Sequence, residues 1–245
     1  MKQQLPSRVN RRIGQAMHDY AMLADGDRIL VGVSGGIDSL VVTQLLDVWQ
    51  HKAPVSYGLE PVHIDMGYDS EGDSTAELIK EELGSLASDL KVVRAHHTPA
   101  REQSCFECAR NRRRQLFDLA AELGCNKIAL GHHKDDLIET LFLNMVYSGN
   151  ISTMVPRQDL FHGKLALIRP MAYLEKEEVR EIGRKFGLQP VKNLCPLAGD
   201  TKRDRVRELL EELYRIEPEA KASLFSAMAN VRHDYLLKTK VKDES

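Results

Sequence analysis

An α/β architecture, a doubly wound and mostly parallel sheet, is predicted for this chain by three features. Short apolar runs of strand length alternate with amphipathic stretches of helical period along most of its 245 residues. A glycine- and serine-rich turn, residues 31–39 (VGVSGGIDS), joins the first such run to the first long apolar helix. A turn rich in histidine and aspartate, residues 130–136 (LGHHKDD), follows a later run, where ligands of open parallel sheets bind.

In chain order, residues 28–33 read as a buried parallel strand and 40–49 as a helix apolar on most faces. Residues 62–64 form a second strand, its start weakened by Pro61, and 75–86 a helix. Residues 91–93 are a third strand, 107–123 a strong helix ended by Gly124, and 127–130 a fourth strand. Gly131 opens a loop into a helix over 136–147, which Ser148, Gly149 and Asn150 break. Residues 165–169 are a fifth strand and 175–186 a helix. From Arg203 on the tail is helical, with Pro218 near the first turn of the last helix, and the charged end 238–245 is expected to fray. No internal repeat or low-complexity linker interrupts the chain. The expected organisation is a short helical segment over 1–24, the main α/β domain over 25–200 and a helical tail over 201–245 packed on or beside it.

Composition narrows the function classes. With 42% hydrophobic and 29% charged residues the chain reads as an ordinary soluble protein. It has no apolar run of bilayer length, and its first residues lack the apolar core of a signal peptide, so a cytoplasmic location without a membrane partner is expected. A formal net charge of −2 argues against a uniformly basic nucleic-acid binder, yet cations cluster. Lys2, Arg8, Arg11 and Arg12 precede the first acidic residue; Arg110, Arg112, Arg113 and Arg114 crowd one turn; Lys202, Arg203, Arg205 and Arg207 form a third group. Any one alone reads as a solvated helix face, whereas three beside candidate catalytic segments point to phosphate-backbone contact.

The turn at 31–39 has the chemistry of a phosphate cradle. Gly35 and Gly36 let backbone approach an anion, the unpaired amides and positive dipole end of the following helix favour negative charge, and Ser34 and Ser39 add hydroxyl donors. It is not the Walker loop, because position 37 is Ile and no Gly-Lys-Ser/Thr follows. The alternative is a strand–helix turn with glycine for geometry and serine for a cap. In the second cluster Asp135 and Asp136 suit either a helix cap or Mg²⁺ bridging ATP phosphates. His132 and His133 would polarise phosphate oxygens or be ordinary loop residues, and sequence alone does not separate the two.

Four cysteines in an enzyme-sized chain, two of them as Cys105-Phe106-Glu107-Cys108, favour metal or redox chemistry over a disulfide framework. Cys195 is a third candidate thiol, while Cys125, at a helix-to-strand turn, reads as a small buried apolar side chain. A zinc site lacking a clear fourth ligand, a redox pair outside a thioredoxin-like context, three inert buried thiols, and a [4Fe–4S] cluster on three thiolates with one open iron all remain open.

The Ser-Gly-Gly-x-Asp-Ser pattern of residues 34–39, directly after the first strand, resembles the PP-loop ATP pyrophosphatases at every fixed position. That resemblance implies an adenine nucleotide alpha hydrolase-like fold, ATP as co-substrate, cleavage between its α- and β-phosphates and adenylation of a substrate oxygen. Over residues 8–230 the chain further resembles the tRNA 2-thiocytidine synthetase (TtcA) family. The matching stretches are 25–29 (DGDRI), 105–110 (CFECAR), 127–133 (KIALGHH) with Asp135 and Asp136, 140–145 (TLFLNM), 168–170 (IRP) with Ala172 and Tyr173, 193–195 (NLC) and 224–228 (LFSAM).

The resemblance implies a [4Fe–4S] cluster on Cys105, Cys108 and Cys195, and ATP held by Ser34, Gly35, Gly36, Asp38, Ser39, His63, Gly131 and His132. It further implies Mg²⁺ on Asp38, Asp135 or Asp136, and these carboxylates and cysteines as the catalytic set. The base's C2 oxygen would attack the α-phosphorus and sulfide would displace AMP, giving 2-thiocytidine in tRNA. The implied partners are tRNA, reached as splayed loop nucleotides, and a sulfur donor such as a cysteine desulfurase; a homodimer is admitted.

Three departures stand out. Ile37 occupies a position where the family usually has Lys, and Lys134 is the nearest substitute by motif position. The segment before Cys105 is short, and the chain stops soon after the helix at 224–228. Lysidine formation needs no cysteine triad, and thiouridine synthetases with terminal zinc ribbons need more than four cysteines. A nucleotide-gated iron–sulfur carrier or RNA-binding module without catalysis is the alternative of a different class.

Overall fold

Residues 28–31 (RILV) supply the middle of the sheet, and alternation sets which face each side chain enters. The computed structural model describes residues 5–68, 74–96, 105–192, 194–195 and 201–237, with the side chains of 105 and 106 left out. The charged end, Asn193 of the NLC stretch and the Cys105 thiol therefore lie outside the described residues. Six strands are ordered β3-β2-β1-β4-β6-β5, with β1 at Asp27–Gly32, β2 at Tyr57–Asp65, β3 at Lys91–Arg94, β4 at Lys127–Ala129, β5 at Arg157–Leu160 and β6 at Leu165–Ile168. All neighbours run parallel except the β5–β6 hairpin. This is the predicted doubly wound, mostly parallel α/β class.

Ile29 and Val31 point to one face, against α1 (Ser7–Asp19), α2 (Ile37–Gln50), α3 (Thr75–Leu83) and α6 (Lys176–Phe186), where Ile13, Leu40, Leu45, Ile79 and Ile182 are fully or almost fully buried. Leu30 points to the other, where it packs with Val62, Leu119, Ile128 and Leu167 beneath α4 (Cys105–Glu122). A smaller cluster of Ile138, Val206 and Leu210 holds α7 (Lys202–Ile216) and α8 (Ala220–Ala227) on α5 (Lys134–Ser148). Each such aliphatic side chain contributes about 1.5–3 kcal/mol when fully buried.

Pro61 lies inside β2, not at its start. The Val62 carbonyl accepts from Val33 N at 2.8 Å, so Val62 faces β1 and the missing amide of Pro61 faces the other edge. There β3 begins pairing only at Val62, so no ladder bond is lost. β5 lies outside the predicted strands because its RQDL sequence is polar and half-exposed, without an apolar alternation to mark it. The predicted helix over 75–86 stops at Leu83, since Gly84 takes φ +56° and a 3₁₀ turn follows.

Three helices start two or three residues earlier than their apolar periods suggest: α2 at Ile37, α4 at Cys105 and α5 at Lys134. Pro218 lies between α7 and α8, just before the first turn. Among the described residues no helix is long and apolar enough to cross a membrane.

The chain leaves β1, fills one edge through β2 and β3, and returns to the other side of β1 as β4. Neighbouring strands β1 and β4 therefore send their connections apart, and the crevice at their carboxyl ends is where a ligand fits.

Candidate active site

The turn after β1 is braced from within. Ser39 Oγ accepts from Ser34 N at 3.1 Å, lies 3.2 Å from Ser34 Oγ and donates to the Gly36 carbonyl at 2.8 Å. The amides of Ser39 and Leu40 also turn onto Gly36 O. The amides of Ile37 and Asp38 stand at the helix start, where no carbonyl lies a turn back to accept them. Gly35 has φ +84°, and an added Cβ would meet Ile79 and Val191 at 3.2 Å. Gly131 approaches more closely still: its Cβ would fall 2.6 Å from the Asp38 carbonyl oxygen. The two predicted segments thus meet backbone to backbone, glycine permitting the contact.

Between them opens a cleft of about 360 Å³. Val62, Ile64, Leu116 and Leu130 give it an apolar wall; Ser34, Ser39, Asp38, His132 and Asp136 give it a polar one, with Arg112 and Arg203 adding positive charge. Asp136 accepts from the His133 amide at 3.0 Å and from Arg203 Nη1 at 3.3 Å, so it caps α5 while lining the cleft. His133 is buried among carboxylates, 3.9 Å from Asp38, 3.6 Å from Asp135 and 3.4 Å from Asp136. Burial holds the Asp38 carboxyl above its usual range, with Asp136 adding to the rise and His133 opposing it.

Burial likewise depresses His132 to about 4, with Arg169 and Arg203 pushing the same way and Asp136 opposing. Arg169 Nε donates to His132 Nδ1 at 3.3 Å. The ring is therefore neutral with its proton on Nε2, a donor rather than a base. Arg169 is buried and anchored by the Val155 carbonyl at 2.5 Å.

Asp135 points elsewhere. Its carboxylate accepts from the Lys176 amide at 2.8 Å and from Lys221 Nζ at 2.7 Å, joining α5 to α6 and α8. Burial pushes its pKa up, but these donors and the Lys221 charge outweigh that and leave it below the usual value. His63 is buried in β2 with Nδ1 2.8 Å from the Val33 carbonyl, behind the loop instead of along the cleft. Lys134 does not replace the cation absent at position 37: its ammonium pairs with Glu175 at 3.2 Å and lies 5.1 Å above the Phe225 ring. Ile37 packs toward α6, where a Cβ on Gly183 would meet it at 2.6 Å.

The buried Tyr68 hydroxyl lies within electrostatic reach of Cys195 and Cys108, and burial first, then these two neighbours, push it up to about 12. Cys105 lies three residues before Cys108 in the first turn of α4, on the same helix face. Among the described residues no group of three metal-binding side chains is closed, the Cys105 thiol being outside them. Cys125 is buried in the core under α4 and its thiol is pushed up by that burial, as expected of an inert position.

The three cation clusters separate by role. Arg8 and Arg12 pair with Glu178 and fasten α1 to α6. The second and third send Arg112 and Arg203 into the cleft. Tyr68 and Arg169 were not singled out as site residues by the sequence; the signals for Arg169 are its place in the matching stretch 168–170 and a lone cation closing an apolar strand at its carboxyl end.

Residues 5–213 match the family model of the PP-loop domain. A tRNA-cytidine(32) 2-sulfurtransferase of Geobacter sulfurreducens is 38% identical, covering 94% of this chain and 92% of its own length. One from Geotalea uraniireducens is 36% identical over 99% of this chain and 98% of its own. Among solved structures, the U34-tRNA thiolase NcsA from Methanococcus maripaludis with its [4Fe–4S] cluster superposes with a TM-score of 0.73 at 20% identity, covering 95% of this chain and 81% of that one. An NAD⁺ synthetase from Burkholderia pseudomallei follows at 0.51 and 17%, covering 93% and 88%. These two show the fold. With the model match over most of the chain and relatives above one-third identity along nearly all of it, the chain belongs to the PP-loop enzymes and, within them, to the tRNA-cytidine 2-sulfurtransferase family.

Proposed function

We propose that the chain adenylates the C2 oxygen of a cytidine in tRNA, at position 32 as in its relatives' names, and exchanges that oxygen for sulfur to give 2-thiocytidine. The observation that carries this is one cleft joining a braced loop of phosphate-binding chemistry to Arg112, His132, Asp136 and Arg203, with Cys108 and Cys195 both within electrostatic reach of Tyr68.

In this reading ATP's phosphates lie on Ser34, Ser39 and the amides of Ile37 and Asp38, and its base lies along Val62, Ile64, Leu116 and Leu130. Asp38 and Asp136 fit Mg²⁺: two carboxylates share one wall, and burial together with Asp136 disfavours the charged Asp38, which a divalent cation would offset. When bound, the metal neutralises phosphate oxygens. Asp135 takes a supporting role, holding the helix that carries Asp136. The base's C2 oxygen attacks the α-phosphorus, the α–β bridge breaks and pyrophosphate leaves. Arg112 and Arg203 stabilise the charge that develops, and His132 donates from Nε2 to a phosphate oxygen. The two arginines supply the cationic contact that Ile37 does not.

Cys105, Cys108 and Cys195 fit a [4Fe–4S] cluster, since thiols suit such a group, Cys108 and Cys195 both lie within electrostatic reach of the Tyr68 hydroxyl, and Cys105 lies one helical turn before Cys108. A cluster held by these three residues would supply a place to bind sulfide for the exchange. Sulfur then bonds to C2 and AMP departs with the original oxygen. A cysteine desulfurase as sulfur donor, a cytoplasmic location, a homodimer and the division at residues 24/25 and 200/201 belong to the same proposal and rest on the family and the sequence.

The test is anaerobic turnover of the iron-loaded protein with sulfide, ATP and an unmodified tRNA transcript. AMP, pyrophosphate and 2-thiocytidine are expected in equal amounts. Cys105→Ala, Cys108→Ala and Cys195→Ala should lose iron and thiolation while Cys125→Ala keeps both. Pyrophosphate release indifferent to tRNA would overturn the assignment.

A further inference from the structure

Beside the cleft runs a rim that the adenylation chemistry does not use. The carboxyl end of α5 and the loop after it leave Val146 59%, Ile151 60%, Val155 46% and Tyr147 42% exposed. Apolar groups held open in this way next to a polar site mark a contact surface. Two links make the rim continuous with the cleft. Lys202 holds its ammonium 4.7 Å above the Tyr147 ring, and the next residue, Arg203, lines the cleft. The Val155 carbonyl anchors Arg169, which holds His132. The loop itself is fixed, with Asn144 Nδ2 donating to the Ser152 carbonyl at 2.9 Å and Thr153 Oγ1 to Leu137 O at 2.5 Å.

We propose that this rim is a stacking platform for the unpaired loop nucleotides flanking the target cytidine, with the Tyr147 ring taking a base face and Lys202 a neighbouring phosphate. The proposal rests on the tRNA reading above and deepens it by naming the surface. Charge favours RNA over a second copy of the chain: Arg112 and Arg203 line the cleft, Lys202 lies on the rim and Arg113 is exposed on α4 close enough to Arg169 to act on its charge. A self-associating apolar face framed by cations would face its own repulsion, whereas RNA brings phosphate. Single-stranded nucleotides fit better than a duplex, because an aromatic ring and branched aliphatics offer faces to exposed bases and nothing to a paired helix's backbone. A base drawn into the cleft also leaves its neighbours splayed.

Binding of an unmodified tRNA transcript carrying cytidine at position 32 to the iron-loaded holoprotein, followed by fluorescence anisotropy across a salt series, tests this. Tyr147→Ala should weaken binding about ten-fold, as loss of one base–aromatic stack does, and Tyr147→Phe should restore it. Lys202→Gln should weaken binding and lower the salt slope by about one counter-ion, which Tyr147→Ala should leave unchanged. ATP affinity and melting temperature should match wild type in each. Wild-type binding of tRNA that Tyr147→Ala leaves intact would overturn the platform alone. Failure of the wild type to bind tRNA would overturn the functional reading and the platform with it. A dimer that Tyr147→Ala splits while tRNA affinity stays the same would assign the face to a second copy.

Discussion

Two glycines of the site lead to opposite expectations. At Gly131 an added Cβ would lie 2.6 Å from the Asp38 carbonyl oxygen, a backbone atom that cannot swing aside. Gly131→Ala should therefore cost about 1–3 kcal/mol of stability as overpacking and weaken ATP binding with it. At Gly36 the same atom meets only Ser34 Oγ at 3.6 Å, in an ordinary extended backbone. Gly36→Val should keep its melting temperature and lose ATP binding, because its methyls occupy the space a phosphate needs. Thermal denaturation and ATP titration of both variants read this out, and unchanged adenylation by Gly36→Val would remove the phosphate-loop assignment.

His132 gives a pH signature at the same scale. Its folded pKa of about 4 lies below the ordinary 6.5. Between those values the unfolded chain binds a proton that the folded one refuses, so this residue's contribution makes stability fall as pH drops from about 6.5 to about 4. Nitrogen-15 spectra of the ring should show the neutral Nε2–H tautomer at pH 7. An Nδ1–H form would contradict the Arg169 contact. His132→Ala should lower kcat/KM roughly 100-fold, the scale of losing one preorganised donor.

At the scale of elements, the strands central to the sheet were legible because buried parallel strands are short apolar runs, and β1, β4 and β6 stand within a residue of their expected bounds. The site segments were legible because glycine, serine and aspartate at a strand's carboxyl end have few other reasons to be there. What was not legible is direction. Asp135 and Asp136 are adjacent on α5, and successive helical residues point about 100° apart, so only one of them enters the cleft. Polar β5 carries no period, and the pairing of Lys134 with Glu175 joins residues 41 apart.

The outward carboxylate has its own test. Asp135→Asn keeps the shape but removes the charge that Lys221 meets, which should destabilise the fold by about 1.5–3 kcal/mol at pH 7. Because the folded pKa of Asp135 is lowered, its contribution is present above the unfolded value near 4 and is lost as pH falls through the folded one. Denaturant melts should show the wild-type advantage at pH 7 narrowing below pH 4. A gap independent of pH would mean that packing, not charge, holds the three helices.

Taken as one molecule, the chain uses its last helices as part of the site. α7 delivers Arg203 to the cleft and Arg207 to Glu139, α8 delivers Lys221 to Asp135, and Val206 with Leu210 covers Ile138. A chain ending at residue 200 would open this apolar cluster to water, leave Glu139 buried without its guanidinium partners and free Asp135 from its ammonium. Removing one side of a buried charge pair costs about 3–5 kcal/mol, so the truncated chain should lose ATP binding and aggregate, even with the phosphate loop and β1 to β6 intact in its sequence. Arg203→Gln separates the two contributions: it removes the cleft cation but keeps the apolar cover, so it should fold, bind ATP more weakly and slow adenylation. Size-exclusion chromatography with ATP titration of both proteins decides. A truncated chain that stays monomeric and binds ATP like the full one would show that the tail is an attachment, and that Arg203 adds nothing to the phosphate site.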